Sequence, residues 1–274
     1  MKILFVCIGG HFPEGAFRFL KNLHGVGTIS VKGIFFSEIN IREVAAISNP
    51  PLSEPFVKPR EKARQEVETS KSRFIESCKS VGMRHTVDEI AGTWDTPYFL
   101  KETRFADLTV MSEKLISNNM LDDEPNYFIH DSLRNAECPV AAIPDSYTKM
   151  DRIIVAYDGQ KESMFALKQF THMFPDYGDL PIELVYIKDE DKEGIPEAAL
   201  LKEYSLAHFD AGNMLKLHYH SPHSFNEWLK KKLNVILIAG SFSRSGVSML
   251  LKESFVEKVI RNNSVPVFIA HNTK

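Results

Sequence analysis

The same ordered set of segments occurs twice in this chain. Lys2-Ile3-Leu4-Phe5-Val6-Cys7-Ile8-Gly9 matches Arg152-Ile153-Ile154-Val155-Ala156-Tyr157-Asp158-Gly159: a basic residue, an apolar run, then glycine. Asp107 through Ser112 matches Val235 through Gly240, and Leu133 through Val140 matches Ile260 through Val267. Repetition in the same order points to two copies of one unit in tandem, 1–147 and 148–274, with a seam in the polar stretch Asp145-Ser146-Tyr147-Thr148-Lys149.

Each copy alternates short apolar runs with helical patterns. Strands are expected at 2–8, 27–36, 82–87, 106–111 and 139–143, and again at 152–157, 181–187, 213–218, 234–239 and 265–270. Helices are expected at 14–23, 58–80, 96–104 and 125–136, and at 161–173, 194–209, 222–232 and 247–262. Continuous apolar strands separated by helices are the mark of a parallel sheet covered on both faces. The predicted fold is α/β: two tandem Rossmann-like domains, each a five-stranded mostly parallel sheet flanked by helices. The last strand of each copy, near 140–143 and 265–270, is a sheet edge that seeks cover. The two copies are therefore expected to pair within one chain, and a homodimer stays open.

From Lys2 to Ser112 is 110 positions, and from Arg152 to Gly240 is 88, so the first copy carries 22 more. The surplus is assigned to 37–59, where Asn49-Pro50-Pro51 and two further prolines interrupt regular structure. The spacing of Met164, Ala166, Leu167, Phe170 and Met173 is that of a core-facing helix stripe.

Composition narrows the function. The formal net charge is -3 and the sequence pI is near 6.4, which gives no electrostatic motive for nucleic acid or an anionic membrane. No apolar run reaches the ~20 residues of a bilayer span. The opening residues Met1 to Gly10 read as a first strand and not as a signal peptide, because no small-residue cleavage site follows. The three cysteines, Cys7, Cys78 and Cys138, are too scattered for a disulfide framework and read as buried thiols in a cytoplasmic protein.

The stretch from Val235 to Ala270 carries the functional signal. A strand runs into the small-residue loop Gly240-Ser241-Phe242-Ser243-Arg244-Ser245-Gly246, then a helical pattern, then Val265-Pro266-Val267. A glycine- and serine-rich turn between strand and helix offers free backbone N–H groups and a helix dipole to phosphate. With Asp158-Gly159 closing the first strand of the copy, this stretch resembles the universal stress protein family, whose pattern is a strand ending in Asp, then G-x2-G-x9-G-S/T after the fourth strand. The match is good over 151–270 and extends to the first copy only in its strands and last helix. The resemblance implies a non-catalytic stress-response protein, with weak binding of ATP or another adenine nucleotide by the second copy. It implies Asp158 on the ribose or adenine side, Ile187 (beside Tyr186) near the base, and Gly240, Ser241, Ser243, Arg244, Glu253 and Ser254 along the phosphates. Two of these depart from the pattern. Ser243 replaces a glycine but keeps a hydroxyl donor. Glu253 sets a carboxylate against a phosphate; two like charges about 4 Å apart repel by roughly 1 kcal/mol in water and about 4 near a protein surface.

In the first copy Ile8 stands where Asp158 does, and no glycine occurs from Glu113 to Phe128. That copy is expected to bind no nucleotide. Gly9-Gly10-His11-Phe12-Pro13 reads as a helix entry. His218, His220 and His223 cluster at a strand's polar end, where 218 and 220 would share a face; they read as solvated or locally bonded, so no metal is expected. The acidic run Asp189 to Glu193 reads as a solvated helix entrance. No metalloprotease, nucleophile-elbow or Walker motif is found. The alternatives are a slow metal-dependent ATP-hydrolysing enzyme and an interaction module without nucleotide.

Overall fold

The structure is a computed structural model, and it describes residues 1–36, 57–90, 94–117, 132–188, 194–210, 212–218, 222–240, 260 and 265–270. The strands are β1 (Lys2–Ile8), β2 (Ser30–Phe36), β3 (Arg84–Ile90), β4 (Leu108–Ser112), β5 (Val140–Ile143), β6 (Arg152–Tyr157), β7 (Ile182–Lys188), β8 (Gly212–His218), β9 (Val235–Ala239) and β10 (Val267–Ile269). The helices are α1 (Glu14–Val26), α2 (Val57–Ser80), α3 (Thr96–Thr103), α4 (Lys114–Ser117), α5 (Lys161–Met173), α6 (Ala198–His208) and α7 (Pro222–Lys230).

All ten strands form one sheet in the order β3-β2-β1-β4-β5-β10-β9-β6-β7-β8. Read from either edge, the order is the same: third, second, first, fourth, fifth. Every neighbouring pair is parallel except β5 with β10, which run antiparallel with Ala141 opposite Phe268. The strands of 2–143 and those of 152–269 thus meet as mirror-ordered sets through their fifth strands.

Alternation along the strands sends side chains into two cores. Ile3, Phe5, Cys7, Ile153, Val155 and Tyr157 face one layer, where α1, α2, α5 and α6 pack. Leu4, Val6, Ile8 and Ile154 face the other, against α3, α7 and the residues Leu133 and Ile260. Strands buried on both faces must be apolar throughout, which is why they read as unbroken runs in the sequence. The first layer is aromatic: Phe5 stacks on Phe74 at 5.1 Å and meets Phe17 edge-on at 6.1 Å. In the second layer Trp94 lies 4.8 Å from both Phe36 and Phe99 and donates to the Ser132 hydroxyl at 2.9 Å.

Boundaries shift where local chemistry intervenes. β2 begins at Ser30 and not at 27, because the Gly27 N–H still caps α1 by donating to the Leu23 carbonyl at 3.1 Å. α6 begins at Ala198 and not at 194, since Glu197 adopts a left-handed φ of 52° that a helix cannot contain. α2 begins at Val57, one residue before the expected 58, and includes Pro59; a proline in a first turn gives up no helical hydrogen bond. The rest of the expected loop, 37–56, lies outside the described residues, as do most of the expected helices 125–136 and 247–262. Among the described residues no helix is long and apolar enough to cross a membrane.

The linker between β5 and β6 is tied down at several points. A Cβ at Gly15 would collide with the Pro144 carbonyl, so the first turn of α1 rests directly on the linker backbone. Arg18 donates to the Tyr147 carbonyl, and Asn22 donates to the Tyr147 hydroxyl and the Thr148 carbonyl, both at 3.1 Å. Asn234 donates to Asp151 at 2.8 Å.

Candidate functional site

In an open parallel sheet the ligand crevice forms outside the carboxyl ends of the strands, where the strand order reverses. This sheet has two such places, between β1 and β4 and between β6 and β9.

At the second, β6 ends at Tyr157 and the chain turns through Asp158, Gly159 and Gln160 into α5. Asp158 is exposed, and its Oδ1 accepts from the Gln160 N–H at 2.9 Å. This short-range bond fixes the turn before the helix. Gly159 takes a φ of +78°, which a side chain would strain. The next strand of the crevice, β9, ends at Ala239. Its register with β6, Val155 opposite Ile238, puts Gly240 level with Tyr157. A Cβ at Gly240 would lie 2.9 Å from the carbonyl carbon of Glu162 and 3.0 Å from the Ser163 nitrogen. The glycine is therefore required by the close approach of the strand end to the first turn of α5. Asp158 and Gly240, 82 positions apart in the chain, are brought to adjacent strand ends at the mouth of one helix.

On the inner side Tyr157 lies 6.2 Å from Tyr186, and its hydroxyl donates to the Pro196 carbonyl at 3.3 Å. Burial raises the Tyr157 hydroxyl above its ordinary range. Tyr186 is a core residue. Ile187 is the penultimate residue of β7. Ser241, Ser243, Arg244, Glu253 and Ser254 lie outside the described residues, as do the acidic run 189–193 and His220.

The first crevice is built differently. Ile8, at the position of Asp158, is buried among the apolar residues of the second layer. Gly9 repeats the left-handed turn of Gly159 with a φ of +66°. At the end of β4 the Ser112 hydroxyl donates to Glu113 at 3.0 Å and accepts from the Lys114 N–H at 3.2 Å. Lys114 Nζ and His11 Nε2 both reach Asp145 Oδ2, at 2.7 and 2.8 Å. Asp145 comes from the end of β5, so one carboxylate joins the loop after β1, the end of β4 and the linker. Burial raises the Glu113 carboxyl, and the Asp145 charge raises it further. Burial also works against ionised Asp145, but the bonds from Lys114 and His11 outweigh it and hold Asp145 below the usual carboxylate range. The other Asp145 oxygen is buried with no partner among the described residues. Sequence reading missed this ion cluster because its members are 31, 103 and 134 positions apart.

Among the described residues no group of three or more His, Cys, Asp or Glu side chains is placed to hold a metal. All three cysteines are buried. Burial pushes the Cys7 and Cys78 thiols up to about 12 and Cys138 up to about 11, so none is a ready nucleophile.

No family model and no curated protein matches the sequence. Solved structures do match the fold. A universal stress protein from Archaeoglobus fulgidus DSM 4304 aligns over 99% of this chain and 98% of its own, with a TM-score of 0.71 at 15% identity. A putative universal stress protein from Pseudomonas aeruginosa UCBPP-PA14 aligns over 98% and 92%, with a TM-score of 0.58 at 12% identity. A functionally unknown protein from Pseudomonas aeruginosa PAO1 gives the same coverage and identity with a TM-score of 0.59. The likeness runs along nearly the whole of each chain, and it is a likeness of fold.

Proposed function

We propose that this chain, built on the universal stress protein fold, is a non-catalytic stress-response protein that holds an adenine nucleotide weakly between the ends of β6 and β9. The observation that carries this reading is the pairing of exposed Asp158 with Gly240 at neighbouring strand ends beside the first turn of α5. Asp158 meets the ribose or adenine side, and Ile187 lies toward the base. The phosphates run along the loop that begins at Gly240, with Ser241, Ser243, Arg244 and Ser254 as donors. Glu253 opposes them and keeps the affinity low.

The first crevice takes no nucleotide on this reading. It offers Ile8 in place of a carboxylate, and its loop end is filled by Glu113 and the Lys114–Asp145–His11 cluster. The two mirror-ordered strand sets are copies of one unit, 1–147 and 148–274, paired inside one chain in the cytoplasm.

Small molecules released from freshly purified, denatured protein and identified by mass spectrometry test the reading. An adenine nucleotide supports it. Magnesium-dependent ATP turnover lost in Asp158→Ala would replace it with a slow hydrolase. The absence of a thermal shift with any adenine nucleotide would leave an interaction module.

A further inference from the structure

The internal correspondence of the two strand sets exposes a second cleft, at the opposite end of the strands from the nucleotide crevice. Leu4 pairs with Lys32 and Ile154 with Glu183, so Val31 on β2 corresponds to Ile182 on β7. Val31 pairs with His85 and Ile182 with Gly212. Counting back four residues from each, Val81 corresponds to His208. The helices align as well. Ala16, Phe19, Leu20 and Leu23 are four of the six buried residues of α1, and Ser163, Ala166, Leu167 and Phe170, four of the five in α5, repeat their spacing. The residue after Leu23 is His24, and the residue after Phe170 is Thr171.

In the first set this place is filled. His24 Nε2 donates to the Val81 carbonyl at 3.2 Å, so an imidazole bridges the last turn of α1 to the end of α2. In the second set Thr171 carries no ring, and a cleft of about 360 Å³ opens between the ends of α5 and α6. Thr171, Phe174, Pro175, His208 and Phe209 line it. Phe174 and Phe209 are buried and give it an aromatic floor. Gly178 closes one side against the His208 carbonyl, which a Cβ there would approach to 2.9 Å. That carbonyl is the counterpart of the one that His24 engages.

We propose that this cleft binds a small planar heteroaromatic of the imidazole class, which lies on Phe174 and Phe209 and donates its N–H to the His208 carbonyl, as the His24 ring does to Val81 in the first set. The chain carries its own precedent for the occupant. Aromatic rings supply apolar area to a flat ligand. The His208 carbonyl offers an acceptor, so a ligand that brings an N–H gains a hydrogen bond that one without it lacks.

Isothermal titration of the full chain with benzimidazole, and with 1-methylbenzimidazole, which has no N–H, tests this. Benzimidazole is expected to bind once per chain and the methylated compound about ten-fold more weakly, the effect of one hydrogen bond. Thr171→His, which installs the ring that the first set already has, is expected to abolish benzimidazole binding. Equal affinity for the two compounds, no binding of either at millimolar concentration, or unchanged binding by Thr171→His would overturn the proposal. If Thr171→His does not fold, the comparison of the two compounds decides alone.

Discussion

Lys32 and Glu183 occupy the same place in the two strand sets and carry opposite charges. Each sits on the strand beside the first strand of its set, opposite Leu4 and Ile154 respectively, on the face of the second layer. Lys32 is held by two acids, Asp88 at 2.6 Å and Glu102 at 2.9 Å, with its ammonium 5.9 Å from the centre of the Tyr98 ring. Glu183 is held by two bases, Arg152 at 2.6 Å and Lys232 at 2.9 Å, and Lys232 lies 4.5 Å from the Trp228 ring. A position buried between sheet and helix tolerates a charge only when it is paired. Both sets meet that requirement, and they meet it with the signs exchanged.

Glu183→Gln should therefore destabilise the protein by about 2–3 kcal/mol. The carboxylate side chain is 6% exposed, and its loss leaves two cations facing each other with partial access to water. A urea unfolding midpoint that does not move would show that the triad contributes nothing. The paired substitution Lys32→Gln should act in the same direction, because it leaves Asp88 and Glu102 as an unbridged pair of like charges.

Stability should fall in acid. The Asp88 carboxyl is held low by the Lys32 and Tyr98 bonds, and Asp145 is held low by Lys114 and His11 against the cost of burial. A carboxyl depressed in the folded state contributes stability that is complete above its unfolded value and is lost as the pH falls through the folded one. The loss is expected below the ordinary carboxylate range, near pH 4 and under. Asp145→Asn should flatten that slope when melting temperature is followed against pH. Glu113 works the other way: raised by burial, it favours the folded state as it takes up its proton. An unchanged slope in Asp145→Asn would count against the cluster.

Two glycines should differ in what they tolerate. At Gly15 an added methyl group meets the Pro144 carbonyl and the Asp145 backbone, neither of which is the end of a flexible side chain. Gly15→Ala is expected to cost about 3 kcal/mol or more and to reduce soluble yield. Gly240→Ala meets the Glu162–Ser163 backbone near 3 Å, so a smaller cost of about 1–2 kcal/mol follows, with weakened nucleotide binding. Equal melting temperatures for the two variants would contradict these contacts.

Thiol chemistry gives an independent check on the core. Cys7, Cys78 and Cys138 are buried with raised thiols. Native protein at pH 8 should take up no iodoacetamide, and protein in urea should take up three equivalents. Rapid labelling of one cysteine in the native state would place that residue on the surface.

The strands were legible in the sequence because burial on both faces forces unbroken apolar runs, and β1 and β6 fall where those runs do. The strand-to-helix turns were legible from Gly9 and Gly159, the residues that take left-handed backbone. Helix starts were less so: nothing in Gly194-Ile195-Pro196-Glu197 announces that Glu197 itself turns left-handed and delays α6 to Ala198. Asp158 and Gly240 could be found because each lies at a strand's end in a recognisable order. The Lys32 and Glu183 triads and the His11–Asp145–Lys114 cluster could not, because their partners arrive from other strands and helices. A lone charge within a strand, such as Lys32, reads as solvent-facing until the helix over it is placed.

The most direct test of the central claim is titration of the full chain with ATP and with AMP, in the wild type and in Asp158→Ala and Asp145→Ala. The nucleotide crevice proposed between β6 and β9 requires one weak site per chain, lost in Asp158→Ala and retained in Asp145→Ala. Two sites per chain, or a single site that survives Asp158→Ala and disappears with Asp145→Ala, would place the ligand between β1 and β4 and contradict the account.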